Sequence, residues 1–329
     1  MEIKDLTGLS EPLKKLIEVI SQGVGALSKP YLIRKTADAK AYEIKVIAES
    51  IKANQKSLKQ IDYNEEKLSL ASIDGESIKA ELSLEERTKN RTDFKQQKKQ
   101  KNIEVITQKA AEQLESESTV SEEPVDEDWT TRFFDYAEDI SNEEMQEIWA
   151  RILAGEIKQP RSYSLRTLEL IRNLSKDEAN TFMKVAKFAI KSGDSHFLFK
   201  GKDGKILNEE YNINYGDTAL LTEIGLIQPG AFVNYQILQQ PQDSQSVFTT
   251  DKIILIAKIK ANTPTITMPV DVFSKSGNEL LKLVSPNPPF DYLKAIADSI
   301  KSDNVEVKYA YIMAWEGNSI RHTQPLLDF

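Results

Sequence analysis

The chain has 329 residues, 40% hydrophobic and 29% charged, which is enough sequence for two domains that each bury a core. Its 43 basic and 51 acidic residues leave a formal net charge of −8, so the whole molecule is not steered toward nucleic acid or anionic lipid, and any such contact must come from a local basic patch. With no cysteine, disulfides, thiol catalysis and thiolate metal sites are excluded together.

The N-terminal stretch MEIKDLTGLSEPLKK lacks the basic start and apolar run of a signal peptide, and no segment approaches the roughly 18 apolar residues of a membrane span. A cytoplasmic location is expected, with peripheral contact at an inner membrane as the alternative. The first helix is expected to open at Ser10, with Pro12 in its first turn. Leu6, Leu9, Leu13, Leu16, Ile20, Gly23 and Leu27 alternate steps of three and four and form one apolar seam. That seam should pack on a helix of the same chain or of a second copy. A membrane-surface helix is disfavoured because Glu11 and Glu18 balance Lys14 and Lys15. Gly23 and Gly25 would let another helix come close, or loosen the helix end before Pro30.

After Pro30 a longer helix is expected to run to about Tyr63, with Ile33, Ala37, Ile44, Ile47, Ile51, Leu58 and Ile61 in a heptad-like seam. Lys40 and Asn54 interrupt it, which fits a helical hairpin or an oligomeric coiled coil. Residues 62–86 lose the period, carry the Asp74-Gly75 turn signal, and read as a loop with short helical pieces. A helix resumes from Glu86 to Leu114, with Phe94, Ile103, Ile106, Ala110 and Leu114 expected to be buried. Its front carries Arg87, Lys89, Arg91, Lys95, Lys98, Lys99 and Lys101 against few acids. A solvated helix face is the preferred reading, because no aromatic residue is interleaved for base stacking. The alternative is a phosphate-binding stripe in which Arg87, Arg91, Lys95, Lys98 and Lys99 contact nucleic acid.

Residues 115–128, ESESTVSEEPVDED, hold seven acids and no base. They are expected to form a mobile linker, with an intramolecular clamp on the basic stripe as the alternative. Local signals then agree closely. Phe133, Tyr136, Ala137 and Ile140 share a helical face. Ser141 with Glu144 forms a capping-box pattern before Met145, Ile148, Trp149 and Ile152, and that helix should end near Gly155 ahead of Pro160. A third helix opens at Ser164, and Ser175 with Glu178 repeats the capping box before Phe182, Val185 and Ala189. Arg161, Arg166 and Arg172 flank the third helix. They could hold a phosphate, since helix N-termini attract anions, but surface ion pairing with Glu169 and Asp177 is preferred.

Beyond this bundle the period changes. His196–Lys200, Phe232–Leu238, Ile253–Ile259, Thr265–Phe273 and Val305–Trp315 have strand composition, and helices are expected at Asp217–Ile224, Ser276–Val284 and Tyr292–Ser302. A helix, the phrase GLIQPG and a following hairpin suggest a winged helix in outline. The expected fold is therefore α+β. Residues 1–114 form a helical assembly region (hairpin or coiled coil), 115–128 an acidic linker, 129–192 a central helical bundle, and 193–329 a C-terminal antiparallel-sheet domain.

Chemistry is sparse. His196 and His322 lie far apart without metal-ligand spacing, and no phosphate-loop, dinucleotide, nucleophile-elbow or zinc-protease motif is present. No cofactor, metal ligand or catalytic residue is assigned. An enzyme is disfavoured, and the weaker alternative is a metal-dependent hydrolase built from scattered carboxylates.

LTGLSEPLKKLIEVISQGVGALSKPYLIRKTADAKAYEIKVIAESIK at the start, NIEVITQKAAEQ from Asn102, and PVDEDWTTRFFDYAEDISNEEMQEIWARILAGEIKQPRSYSLRTLELIRNL from Pro124 resemble an uncharacterised bacterial family catalogued only as a domain of unknown function. The N-terminal third is similar, more loosely, to abortive-infection alpha proteins of bacterial antiphage systems. The resemblance implies a bacterial cytosolic protein with a defence role and implies no catalytic residues. The resulting expectation is a non-enzymatic interaction protein. It would form a homo-oligomer, or dock on a protein partner, through Leu9, Leu13, Leu16, Ile20, Leu27, Ile33, Ile44, Ile47 and Ile51, and would sense a partner or phage component through its C-terminal part. A nucleic-acid-binding regulator is the alternative.

Overall fold

The computed structural model describes residues 10–25, 61–64, 67–70, 83–230, 233–316 and 319–329. The chain divides into two compact units, Met1–Pro160 and Arg161–Phe329.

The described elements of the first unit are helix α1 (Glu11–Val24), strands β1 (Ile61–Asn64) and β2 (Lys67–Leu70), and helices α2 (Leu84–Leu114), α3 (Glu127–Ala137) and α4 (Glu143–Lys158). Ser10 stands at the start of α1, but its hydroxyl makes no capping bond. The seam of α1 lies against α3, α2 and α4 of the same chain. Leu16 and Ile20 are fully buried there and Leu13 is half-buried. Close approach needs Gly23, since a Cβ at that position would meet Phe134 Cδ2 at 2.1 Å. The described part of the expected interaction seam is thus covered within the chain, because α3 offers it the buried aromatic residues Trp129, Phe133 and Phe134. Leu9, Leu27, Ile33, Ile44, Ile47 and Ile51, with the long helix and coiled coil expected around them, lie outside the described residues.

Where that helix was expected to end and a loop to begin, β1 and β2 pair as an antiparallel hairpin. Ile61 and Tyr63, like Leu68 and Leu70, alternate with polar residues at the period of a strand. The second helix of the α3–α4 pair is capped by Asn142, whose side chain accepts from Met145 N at 3.1 Å, one residue later than the Ser141 expected. Ser141 Oγ instead takes a bond from Asn102 Nδ2. Within the acidic segment, Ser121 N donates to Lys158 O at 3.1 Å and Glu117 pairs with Lys158 at 2.5 Å. Lys15 Nζ donates to the carbonyls of Ser121 and Glu123 at 2.7 and 2.6 Å. Burial at this joint pushes the Lys15 ammonium below its ordinary value.

The second unit contains α5 (Leu165–Asn173), α6 (Lys176–Ala186), β3 (Ile190–Ser192), β4 (Ser195–Phe199), α7 (Ile206–Tyr211), α8 (Tyr215–Glu223), β5 (Asn234–Ile237), β6 (Ser244–Thr249), β7 (Ile253–Ile259), β8 (Ile266–Val272), α9 (Lys275–Leu281), α10 (Phe290–Ile300), β9 (Val305–Glu316), β10 (Ser319–His322) and β11 (Leu327–Asp328). Its strands form one sheet in the order β10-β9-β7-β6-β3-β4-β8-β5, with β11 also on β9, and every pairing is antiparallel. The sheet curls into a half-barrel. Although three strands separate β5 from β6, the Tyr235 ring on β5 lies 5.6 Å from Phe248 on β6, and its hydroxyl lies 2.8 Å from Ser192 Oγ on β3. Helix α10 packs on β8 and β9, and Tyr292 clamps it to the end of the interior strand β4 by accepting from Phe199 N at 2.6 Å and donating to Phe199 O at 2.9 Å. Burial pushes the Tyr292 phenol far above its ordinary value, so it stays a neutral donor and acceptor.

The winged-helix outline does not form. β5, the strand after Ile227, pairs with β8 and not with the next strand in sequence. Gly225, at φ 81°, ends α8, and Leu226 and Ile227 then drop into the core, so the GLI phrase is a buried helix end.

Candidate functional site

Helix α2 opens with a reciprocal cap. Glu86 N donates to Ser83 Oγ at 3.2 Å, and Ser83 N donates to the Glu86 carboxylate at 2.9 Å. The Ser83 backbone amide first, and then the Ser83 hydroxyl, hold the Glu86 carboxyl below its ordinary range and fix that acid at the helix start. Every residue from Ser83 to Lys98 is exposed, a length of roughly 24 Å at about 1.5 Å per residue. From Asn102 onward the helix is anchored, with Asn102, Ile103, Ile106, Thr107, Ala110, Ala111 and Leu114 buried and α4 as its main neighbour. Asn102 Nδ2 closes the end of α3 by donating to Glu138 O at 2.8 Å.

On the projecting half, Arg87, Arg91, Lys95 and Lys98 follow steps of four, four and three, so their side chains share one face. Phe94, three residues after Arg91 and four before Lys98, lies on that face and is 67% exposed. Leu84, three residues before Arg87, is 71% exposed. Glu85 and Asp93 sit two positions from Arg87 and Arg91, a spacing at which side chains do not meet. At about 100° per residue the stripe is rotated by roughly 110° from the line of Ile103, Ile106 and Ala110. It therefore points away from the helices that anchor it. Arg87, Arg91, Lys95 and Lys98 have no ion-pair partner among the described residues.

Two expectations change here. Phe94 was expected in the core, which left no aromatic interleaved with the cations, but α2 outruns the described helices and leaves its ring in solvent within the stripe. Lys99, expected at a phosphate, is instead bonded to Glu138 and lies 3.7 Å from Asp139. The Glu138 bond raises the Lys99 ammonium above its ordinary value.

The second expected anion site lies at the start of α5, with Arg161 and Arg166 exposed beside it. Its N-terminus is already occupied by a carboxylate of the chain. Glu279, on α9, accepts from Ser164 N at 2.7 Å, Ser164 Oγ at 2.9 Å and Thr167 Oγ1 at 2.6 Å, and is 7% exposed. The charge that a helix N-terminus attracts is thus supplied internally. Nothing local in the sequence signals this, because Glu279 lies 115 residues from Ser164.

The two histidines of the second unit are likewise internally bonded. His196 Nδ1 lies 2.7 Å from Asn278 Oδ1, which also accepts from His196 N at 2.9 Å, and burial lowers the imidazole below its ordinary value. His322 Nδ1 lies 2.9 Å from Thr323 O. A groove of about 870 Å³ runs between α8 and the end of β5, but Lys200 and Asp271 neutralise each other inside it at 3.0 Å. Among the described residues no cluster of three histidines or acids could hold a metal, and no helix is long and apolar enough to cross a membrane.

A family model described as "Protein of unknown function (DUF2806)" matches residues 86–297. The chain belongs to this family. The matched span opens in the first turn of α2, so the basic stripe lies inside the family's region, whereas α1 and the strands β1, β2 and β9–β11 lie outside it. No curated protein and no solved structure matches the chain.

Proposed function

We propose that this is a non-enzymatic binding protein whose projecting helix α2 engages the phosphate backbone of a nucleic acid. The observation that supports the reading is the solvent-facing line of Arg87, Arg91, Lys95 and Lys98, none of which the chain neutralises among its described residues. Each cation that meets a phosphate releases condensed counterions, so a row of four provides affinity without base contacts. The line spans roughly 16 Å, at about 1.5 Å per residue, which is several phosphates of an extended strand. A net charge of −8 keeps the rest of the surface from competing for the polyanion and confines contact to the stripe.

This narrows the wider expectation of an interaction protein, since the described part of the α1 seam is occupied by the chain's own helices. A role in antiphage defence is supported only by the likeness of the N-terminal third to abortive-infection alpha proteins, and the sensing of a phage component has the same support. The test is binding of mixed-sequence RNA and DNA oligonucleotides to the full chain at low salt. The quadruple reversal Arg87→Glu, Arg91→Glu, Lys95→Glu and Lys98→Glu should abolish binding and leave the melting temperature unchanged. Absence of binding by the unaltered chain would remove the reading.

A further inference from the structure

Resting on that reading, we infer that the ligand of the α2 stripe is single-stranded, with Phe94 stacking on an unpaired base while Arg91, Lys95 and Lys98 hold the phosphates on either side.

Phe94 is the aromatic residue on the projecting half of α2, and it is 67% exposed, with cations three residues before it, one after it and four after it. An aromatic ring in solvent gains most by covering a flat apolar face, and an unpaired base offers one, whatever its identity. In a duplex those faces are already stacked on their neighbours, so the ring would have nothing to cover without disrupting the helix. The arrangement of charge points the same way. A helix seated in a duplex groove has a phosphate strand on each flank and puts polar readers in the middle. Here the middle of the face holds Arg87, Arg91, Phe94 and Lys98, one flank adds Lys95 beside Thr88 and Thr92, and the other carries Asp93 and Gln97, so cations line the middle and a single flank. The cations therefore follow one backbone along the helix axis. Lys99, at the foot of the stripe, is held by Glu138, which limits the track to the projecting half.

Stacking without base-edge contacts implies low sequence preference. It also implies that the base opposite Phe94 can be exchanged but not removed.

Three fluorescent 15-nucleotide ligands separate the possibilities at low salt with the full chain: a mixed-sequence strand, the matching duplex, and an abasic strand with the same phosphates. The unaltered protein should bind the strand roughly tenfold more tightly than the abasic ligand and more tightly than the duplex. Phe94→Ala should lose that tenfold on the strand and nothing on the abasic ligand, whereas Phe94→Tyr, which keeps the flat ring, should restore it. As the side chain is exposed, both variants should melt with the unaltered chain. If Phe94→Ala weakens strand, duplex and abasic ligand equally, or none of them, the single-strand inference fails while the phosphate-binding reading survives on the charge reversals. If no oligonucleotide binds, the reading beneath it fails first. Binding to anionic phosphatidylglycerol vesicles that needs Phe94 and Leu84, without oligonucleotide binding, would overturn both in favour of a lipid surface.

Discussion

The front half of α2 and the start of α5 both present arginines to solvent beside a well-capped helix N-terminus, yet they differ in what the chain places there. At α5 the Glu279 carboxylate accepts three bonds from Ser164 and Thr167, so the favourable place for an anion is filled. At α2 the cap uses Glu86 locally, and four cations further along the helix are left to solvent. An anion site is recognised by charge left uncompensated after the chain has bonded to itself. By that criterion Glu279, His196 and Tyr292 belong to structure, and the α2 stripe is the surface proposed for a ligand.

The largest expected effect would break the contrast from the α5 side. Glu279→Ala leaves two hydroxyls and a backbone amide without their acceptor and should cost about 3 kcal/mol of stability. It also reopens the helix N-terminus, so sulfate or phosphate should raise the melting temperature of the variant and leave that of the unaltered chain in place. If sulfate fails to discriminate between them, α5 was not a filled anion site.

A smaller effect concerns His196. Burial holds its folded-state value below the ordinary value of about 6.5, so its stabilising share is present above that value and is lost as pH falls through it toward the folded value. His196→Gln should flatten the dependence of the urea midpoint on pH below about 6.5. An unchanged slope would mean that another group titrates there.

The smallest effect is expected at α2. Reversing Arg87, Arg91, Lys95 or Lys98 singly should change stability by no more than about 0.5 kcal/mol, because each side chain is exposed and unpaired among the described residues. Lys99→Ala should lower stability slightly through loss of the Glu138 bond and should spare ligand binding. A stability loss from the single reversals as large as that from Glu279→Ala would make the stripe structural after all.

Local signals in the chain carried far. The caps at Ser164 and Ser175, the α2 span, and the strands β4, β5, β7, β8 and β9 follow from spacing of three, four or two, and the structure contains them. What escaped was non-local. β3 has only three residues and β6 opens on the polar run Ser244-Gln245-Ser246, so both are recognisable only from their partners, and the pairing of β5 with β8 defeats the hairpin that adjacency suggests. The burial of Phe94 could not be judged from its helical spacing, because whether a helix face is buried depends on how far its neighbours extend. The same limit hid Glu279 and made Arg161 and Arg166 look equivalent to Arg87 and Arg91.

The salt dependence of single-strand binding tests the central claim most directly. Four phosphate contacts predict a slope of about −2.8 for log affinity against log salt, and each of Arg87→Ala, Arg91→Ala, Lys95→Ala and Lys98→Ala should bring it closer to zero by about 0.7, while Arg166→Ala should leave it unchanged. A slope near zero, or one that responds to Arg166 as much as to Arg91, would contradict the assignment of the α2 stripe.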